Sequence, residues 1–160
     1  MRTTLLLDLA GDSIGERVAI GPHVAGIDFA RLRNAARAAG AQFAAHEAQS
    51  IVFVGINGAA MPLTLFAAGY AGKPFVPLNY RLTDPELRRL LERCAPAVAV
   101  IDDDMVARAA DVPGVDILPR NHFEQRFFDP DLPEQEVGPD DFDRPEQDIA
   151  VLLLDRKSVV

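Results

Sequence analysis

The chain has no tryptophan and a single cysteine, Cys94, among its 160 residues. One thiol cannot form an internal disulfide, so the framework of small secreted domains is excluded and the reducing cytoplasm is the expected setting. Histidine is scarce as well: His23, His46 and His122 stand far apart, none beside a Cys or another His at ligand spacing. No metal site is indicated, and all three read as surface or hydrogen-bonded residues. Long apolar runs are missing from the start. Met1 to Asp8 carries one arginine and three consecutive leucines, short of a signal-peptide core and far short of a membrane span. Ser13, Ser50 and Ser158 lack a Gly-x-Ser-x-Gly context, which excludes the hydrolase nucleophile elbow.

Basic excess is also lacking. The net charge is −8, and all of it lies between Asp129 and Asp148, where nine acids face one base, Arg144. The rest of the chain is neutral and has no basic stripe to follow a phosphate backbone, so no nucleic-acid partner is expected. Residues 129–148 also carry Pro130, Pro133, Pro139 and Pro145 without apolar periodicity, and they read as a solvated, acidic, Pro-rich linker.

What is present is a succession of strand and helix patterns. Val18-Ala19-Ile20-Gly21 suggests an early strand or hairpin arm. From Asp28, a capping residue, Phe29, Leu32, Ala36, Ala39 and Phe43 recur at helical spacing to about His46; Arg31, Arg33, Asn34, Arg37 and Gln42 mark a solvated opposite side. Ser50 to Gly55 is apolar on both faces and predicts a central strand. Ile56-Asn57-Gly58 turns the chain into an apolar helix over 59–71, closed by Gly72. Pro74 to Pro77 is a short strand. Thr83-x-x-Glu86 with Pro85 is a capping box opening a helix with Leu87, Leu90 and Leu91 on its buried side. Ala97 to Ile101 is a third strand, Asp102 to Ala110 a short polar-capped helix, and Val115 to Leu118 and Ile149 to Leu154 further strand candidates. Alternation of this kind predicts an α/β fold: a parallel, doubly wound sheet of consecutive βαβ units.

Three polar features could carry chemistry. The turn Gly55 to Gly58 joins a strand to a helix, where backbone amides can hold an anion. Its Gly-x-x-Gly spacing differs from a dinucleotide fingerprint, and glycines serving a tight turn are the preferred reading. Asn79, Tyr80 and Arg81 follow a parallel strand at its carboxyl end, where open sheets place ligands; alternatively Asn79 bonds its own turn and Arg81 pairs with an acid such as Glu86. Asp102-Asp103-Asp104 suggests a cation site, but a helix start attracts acids by its dipole alone. Cys94 reads as a small packed residue.

The run from Gly69 through Gly72-Lys73-Pro74 to Pro77-Leu78-Asn79, followed by Leu82-Thr83 and Glu86-Leu87, resembles the adenylate-forming acyl-CoA synthetases, the AMP-binding ligases. Phe29-x-x-Leu32, Ser50 to Asn57 and Asp148 to Leu154 resemble that family's early helix, its first core strand and the strand entering its phosphate loop. The resemblance covers Arg17 to Leu154. It implies part of an amino-terminal AMP-binding domain over 1–154, truncated before the family's chemistry, in a parent enzyme that uses ATP, Mg²⁺ and coenzyme A to turn a small carboxylic acid into an acyl-adenylate and then an acyl-CoA. No catalytic, cofactor-binding or metal residue carries over to this chain, which by itself is expected to be inactive and to hold no cofactor. The alternatives are a stand-alone α/β nucleotide-binding module using the Gly55 to Gly58 turn and a non-enzymatic interaction module recruiting a basic partner through its acidic segment.

After Leu154 the family has a Thr/Ser-Gly-rich loop with a lysine, whereas this chain reads Asp155-Arg156-Lys157-Ser158-Val159-Val160. Those residues can be encoded by GATCGGAAGAGCGTCGTG, a widely used sequencing adapter, and 155–160 are therefore expected to be a non-native tail. Independent resequencing of the source DNA across the Leu154 codon is expected to run into the glycine-rich loop; six adapter-like codons and a stop would refute this.

Overall fold

Strand-forming runs that are apolar on both faces, each followed by a helix, leave the chain one economical solution, a sheet covered on both sides. In the computed structural model, which describes residues 3–135 and 150–154, the order is α1 (Thr3–Ile14), β1 (Val18–Ile20), β2 (Ile27–Asp28), α2 (Phe29–Ala45), β3 (Ser50–Val54), α3 (Ala60–Ala71), β4 (Phe75–Leu78), α4 (Asp84–Cys94), β5 (Ala97–Ile101), a 3₁₀ turn (Asp103–Met105), α5 (Val106–Ala109), β6 (Val115–Pro119) and α6 (Arg120–Phe127). Strands β4-β3-β5-β6 form one parallel sheet in that order; β1 and β2 make a separate antiparallel pair. β3 is central, as its composition requires, and every residue of β3 and β5 is buried.

Side chains alternate between two cores. Ile51, Phe53, Phe75, Val98 and Val100 face a cluster built with α1, α2, α3 and α6. Val52, Val54, Val76, Ala99 and Ile101 face a second cluster built with α4 and the 103–112 segment. The doubly wound α/β expectation is met.

Local chemistry explains the helix limits. The Asp28 carboxylate accepts a hydrogen bond from the Arg31 amide at 2.7 Å, satisfying a free donor at the start of α2. Glu86 accepts from the Thr83 amide at 3.0 Å at the start of α4. Gly72 ends α3 in the left-handed region at φ 66°. Lys73 then reaches back to the end of α2, where its Nζ donates to the carbonyls of Phe43 and His46, placing a cation on the negative pole of that helix.

Several expectations change. Residues 3–14 form a helix that the short apolar start did not suggest; only Leu7 of its leucines is fully buried, while Leu5, Leu6 and Leu9 are exposed. The polar side of α2 is not simply solvated. Arg33 and Arg37 are largely covered, paired with Asp12 and Asp8 of α1, and Asn34 bonds the extended segment 132–135. That segment opens the acidic stretch read as a free linker, so its described start is docked on α2. Residues 136–148, Ile149 and the 155–160 tail lie outside the described residues. The last strand candidate is a single parallel bridge between Phe75 and Val151 beside β4, and Val151, Leu152 and Leu153 are exposed rather than buried. The helix α6 was not anticipated.

Where α2 crosses α3 the contact is made of small residues. A Cβ placed on Gly40 would lie 2.6 Å from Tyr70 Cβ and 3.1 Å from the Ala67 carbonyl oxygen. Gly40→Val is therefore expected to destabilise the fold by about 1–3 kcal/mol, seen as a lower urea midpoint with an unchanged slope.

Candidate functional site at the carboxyl edge of the sheet

Open parallel sheets bind ligands beyond the carboxyl ends of their strands, which here brings together the turn after β3, Asp102 after β5 and the start of α6. Asp102 is almost fully buried, and its backbone amide bonds the Val54 carbonyl at 3.0 Å, extending the sheet by one rung. Its carboxylate accepts from the Ile56 amide at 2.8 Å and from Arg120 Nη1 at 2.9 Å. Arg120 also donates to the Ile56 carbonyl at 3.1 Å and, through Nε, to Glu124 Oε1 at 3.0 Å. Glu124 Oε1 in turn accepts from the Ala60 amide at 2.8 Å, capping α3 from another helix. Burial opposes the Arg120 charge, but its hydrogen bonds and attraction to Asp102 and Glu124 outweigh that cost and raise its pKa.

This network decides what the turn can do. Two of the amides at this turn, those of Ile56 and Ala60, are bonded to the protein's own carboxylates. The space a phosphate needs is also taken: a Cβ on Gly55 would lie 2.3 Å from Asp102 Oδ1, and one on Gly58 would lie 1.9 Å from Arg120 Nη2. The glycines serve the tight turn, as read from the sequence, with the added reason that two charged side chains cross it. The described residues therefore do not fit ATP at this turn. Asp103 and Asp104 stand in the first turn of the short helix, and Asp102 precedes it; beyond that position, Asp102 serves the β3–α3 turn, and Asp103 accepts from the Asn121 amide at 3.0 Å.

Asn79, Tyr80 and Arg81 lie at the same sheet edge but are locally satisfied. Asn79 Oδ1 accepts from the Arg81 amide at 2.9 Å, and Arg81 Nε donates to the Tyr80 hydroxyl at 3.0 Å with its guanidinium over that ring. Arg108 ties the loop down through the Tyr80 carbonyl at 3.2 Å and the Asp84 carboxylate at 2.6 Å. The histidines are not brought together. His23 and His122 are exposed, and His46 accepts from the Ala48 amide through Nδ1 and meets Asp116 at 3.0 Å through Nε2. Among the described residues no group of His, Cys, Asp and Glu could hold a metal. Cys94 is buried, and burial pushes its thiol up to about 11. Ser50 donates to the Cys94 carbonyl at 3.0 Å, Ser13 is exposed, and Ser158 lies outside the described residues. Sequence reasoning missed Arg120 and Glu124; their i,i+4 spacing was the only available hint.

These observations define a two-sided parallel α/β domain whose sheet edge is closed by internal ion pairs. No protein-family profile matches the chain. An indoleacetate–CoA ligase of Aromatoleum aromaticum is 40% identical over 78 residues, covering 49% of this chain and 14% of that protein. A feruloyl-CoA synthase of an Amycolatopsis species is 35% identical over 112 residues, 70% of this chain and 22% of that protein. The chain thus spans less than a quarter of the length of these curated relatives. A benzoate CoA ligase from Burkholderia xenovorans LB400 shares the fold with a TM-score of 0.68 at 19% identity, over 87% of this chain and 30% of that one. Sequence and fold together group the chain with the amino-terminal part of the AMP-binding acyl-CoA ligases, as the motifs between Ser50 and Val100 imply. No helix among the described residues is long and apolar enough to cross a membrane.

The ion network should be strongly coupled. Arg120→Ala leaves the buried Asp102 carboxylate without its counter-ion and is expected to cost about 3 kcal/mol, whereas Asp102→Ala is expected to cost less, because Arg120 keeps its pair with Glu124. The double substitution should cost clearly less than the sum of the two, and denaturant unfolding of the four proteins in a double-mutant cycle checks this.

Proposed function

We propose that the chain is the amino-terminal scaffold of a cytoplasmic, AMP-forming acid–thiol ligase. The whole enzyme would join a carboxylic acid to AMP at the expense of ATP, releasing pyrophosphate, and then pass the acyl group to coenzyme A. The observation that carries this reading is the 35% identity to a feruloyl-CoA synthase across 70% of the chain, supported by the fold shared with a benzoate CoA ligase. The two curated relatives are named for aromatic acids, which makes arylacetic and cinnamic acids the first substrates to test.

In this reading the role of residues 3–135 is architectural. β3 and β5 supply the centre of a sheet, α2 and α3 cover one face, and the Asp102–Arg120–Glu124 network fixes the edge. ATP, Mg²⁺ and coenzyme A would be held by parts of the enzyme that follow Leu154, consistent with a β3–α3 turn already filled by protein carboxylates. In this reading the general base and any nucleophile also belong to the rest of the enzyme.

The test is pyrophosphate exchange into ATP dependent on an added acid. The 160-residue chain is expected to show none above a blank, and the protein encoded by the complete gene is expected to exchange with an aromatic acid and release coenzyme A thioester. Exchange by the chain alone, or an inactive complete protein across aromatic, fatty and short acids, would refute the proposal.

A further inference from the structure

The polar stripe of α2 has no part in the sheet edge, yet it is built with care. Arg33, Asn34 and Arg37 share one side of the helix, Arg31 stands beside them, and together they border a cavity of about 250 Å³ closed opposite by residues 132–135. Arg33 and Arg37 keep only 16% and 13% of their side-chain surface exposed. Covering two guanidinium groups this far is costly unless their charge and their donors are used.

Their charges are met from the α1 side by Asp12 and Asp8, but a guanidinium offers five N–H groups and these contacts use only some of them. Arg37 gives Nη2 to Asp8 and Nη1 to the Gln135 carbonyl, while its Nε is buried with no partner. Among the described residues Arg33 donates only through Nη1, and Arg31 only through Nη2, to the Phe128 carbonyl. The opposite wall is fixed. Asn34 accepts from the Gln135 amide at 2.7 Å and donates to the Pro133 carbonyl at 3.1 Å, so one side chain clamps an extended strap against the helix. Among the described residues, the acid that the strap brings to the cavity lining is the exposed Glu134.

We propose that this cavity binds a compact oxyanion, a phosphate, pyrophosphate or small polycarboxylate, through the unspent N–H groups of Arg31 and Arg33, with Arg37 adding its charge to the lining. Planar, charge-assisted N–H···O bonds are what an arginine fork makes best. A volume of about 250 Å³ equals roughly eight waters, enough for a pyrophosphate and part of its hydration shell. A polymeric anion does not suit it, because the chain as a whole carries a charge of −8 and would repel a long polyanion.

Calorimetric titration of the 160-residue chain with phosphate, pyrophosphate and citrate, at constant ionic strength with chloride as control, tests the site. Saturable binding of one anion per chain is expected, and the preference among the three identifies the source as phosphate or carboxylate. Arg31→Gln, an exposed position, should weaken binding about tenfold, whereas Glu134→Gln, which removes the acid from the lining, should strengthen it. Heats that do not saturate, that chloride reproduces, or that are unchanged in both variants would overturn the proposal.

Discussion

The close approach of α2 and α3 is the contact on which the rest of the molecule depends. Ala35, Ala36, Ala39 and Gly40 on one helix meet a face of α3 bearing Ala60, Ala67, Ala68 and Ala71, all buried. Small side chains let two helix backbones nest on the same face of the sheet, and any larger residue at Gly40 would strike Tyr70. The distance they set carries consequences at both ends. At one end Lys73, leaving α3, reaches the last carbonyls of α2. At the other the first turn of α3 faces α6, where Glu124 can cap it; α6 also meets the last turn of α2, where Phe123 stacks on Phe43 at 5.8 Å between ring centres.

Charge is used on this scaffold as internal ligand rather than as surface. Asp102 and Glu124 occupy backbone amides that an open α/β sheet ordinarily presents to an anion, and Arg120 balances both. Asp8 performs a related task between helices, accepting from Arg37 at 2.7 Å and from the Tyr70 hydroxyl at 2.6 Å; burial and that acid together push the phenol pKa up. The same guanidinium groups that seat α1 line the cavity under the 132–135 strap, so the covering of α2 and the proposed oxyanion site share their residues.

Most of the sheet was legible because each of its strands announces itself twice, by composition and by the turn or cap beside it. Ser50–Val54 is apolar throughout, Gly72 and the prolines bracket Phe75–Leu78, and the Thr83–Glu86 pair starts the helix between β4 and β5. Two helices were not legible, for different reasons. α1 keeps three leucines in solvent and is seated largely by Asp8 and Asp12, so its apolar pattern does not mark the buried side. α6 is mostly polar, and Phe123 and Phe127, its buried pair, form too short a pattern to stand out from a loop.

The sequence by itself determined the order of the elements from α2 to β6, the parallel two-sided sheet and the likeness to acyl-CoA ligases, because strand composition, turn glycines and capping residues act over a few neighbours. Tertiary structure decided which polar groups meet. Asp102 and Arg120 lie 18 residues apart, Ala60 and Glu124 64 apart, and Asn34 and Gln135 101 apart. No local pattern encodes those pairings; they arise because parallel crossovers bring the carboxyl ends of successive strands to one edge, and because two alanine-lined helices pack closely enough to hold their polar sides against the remaining chain.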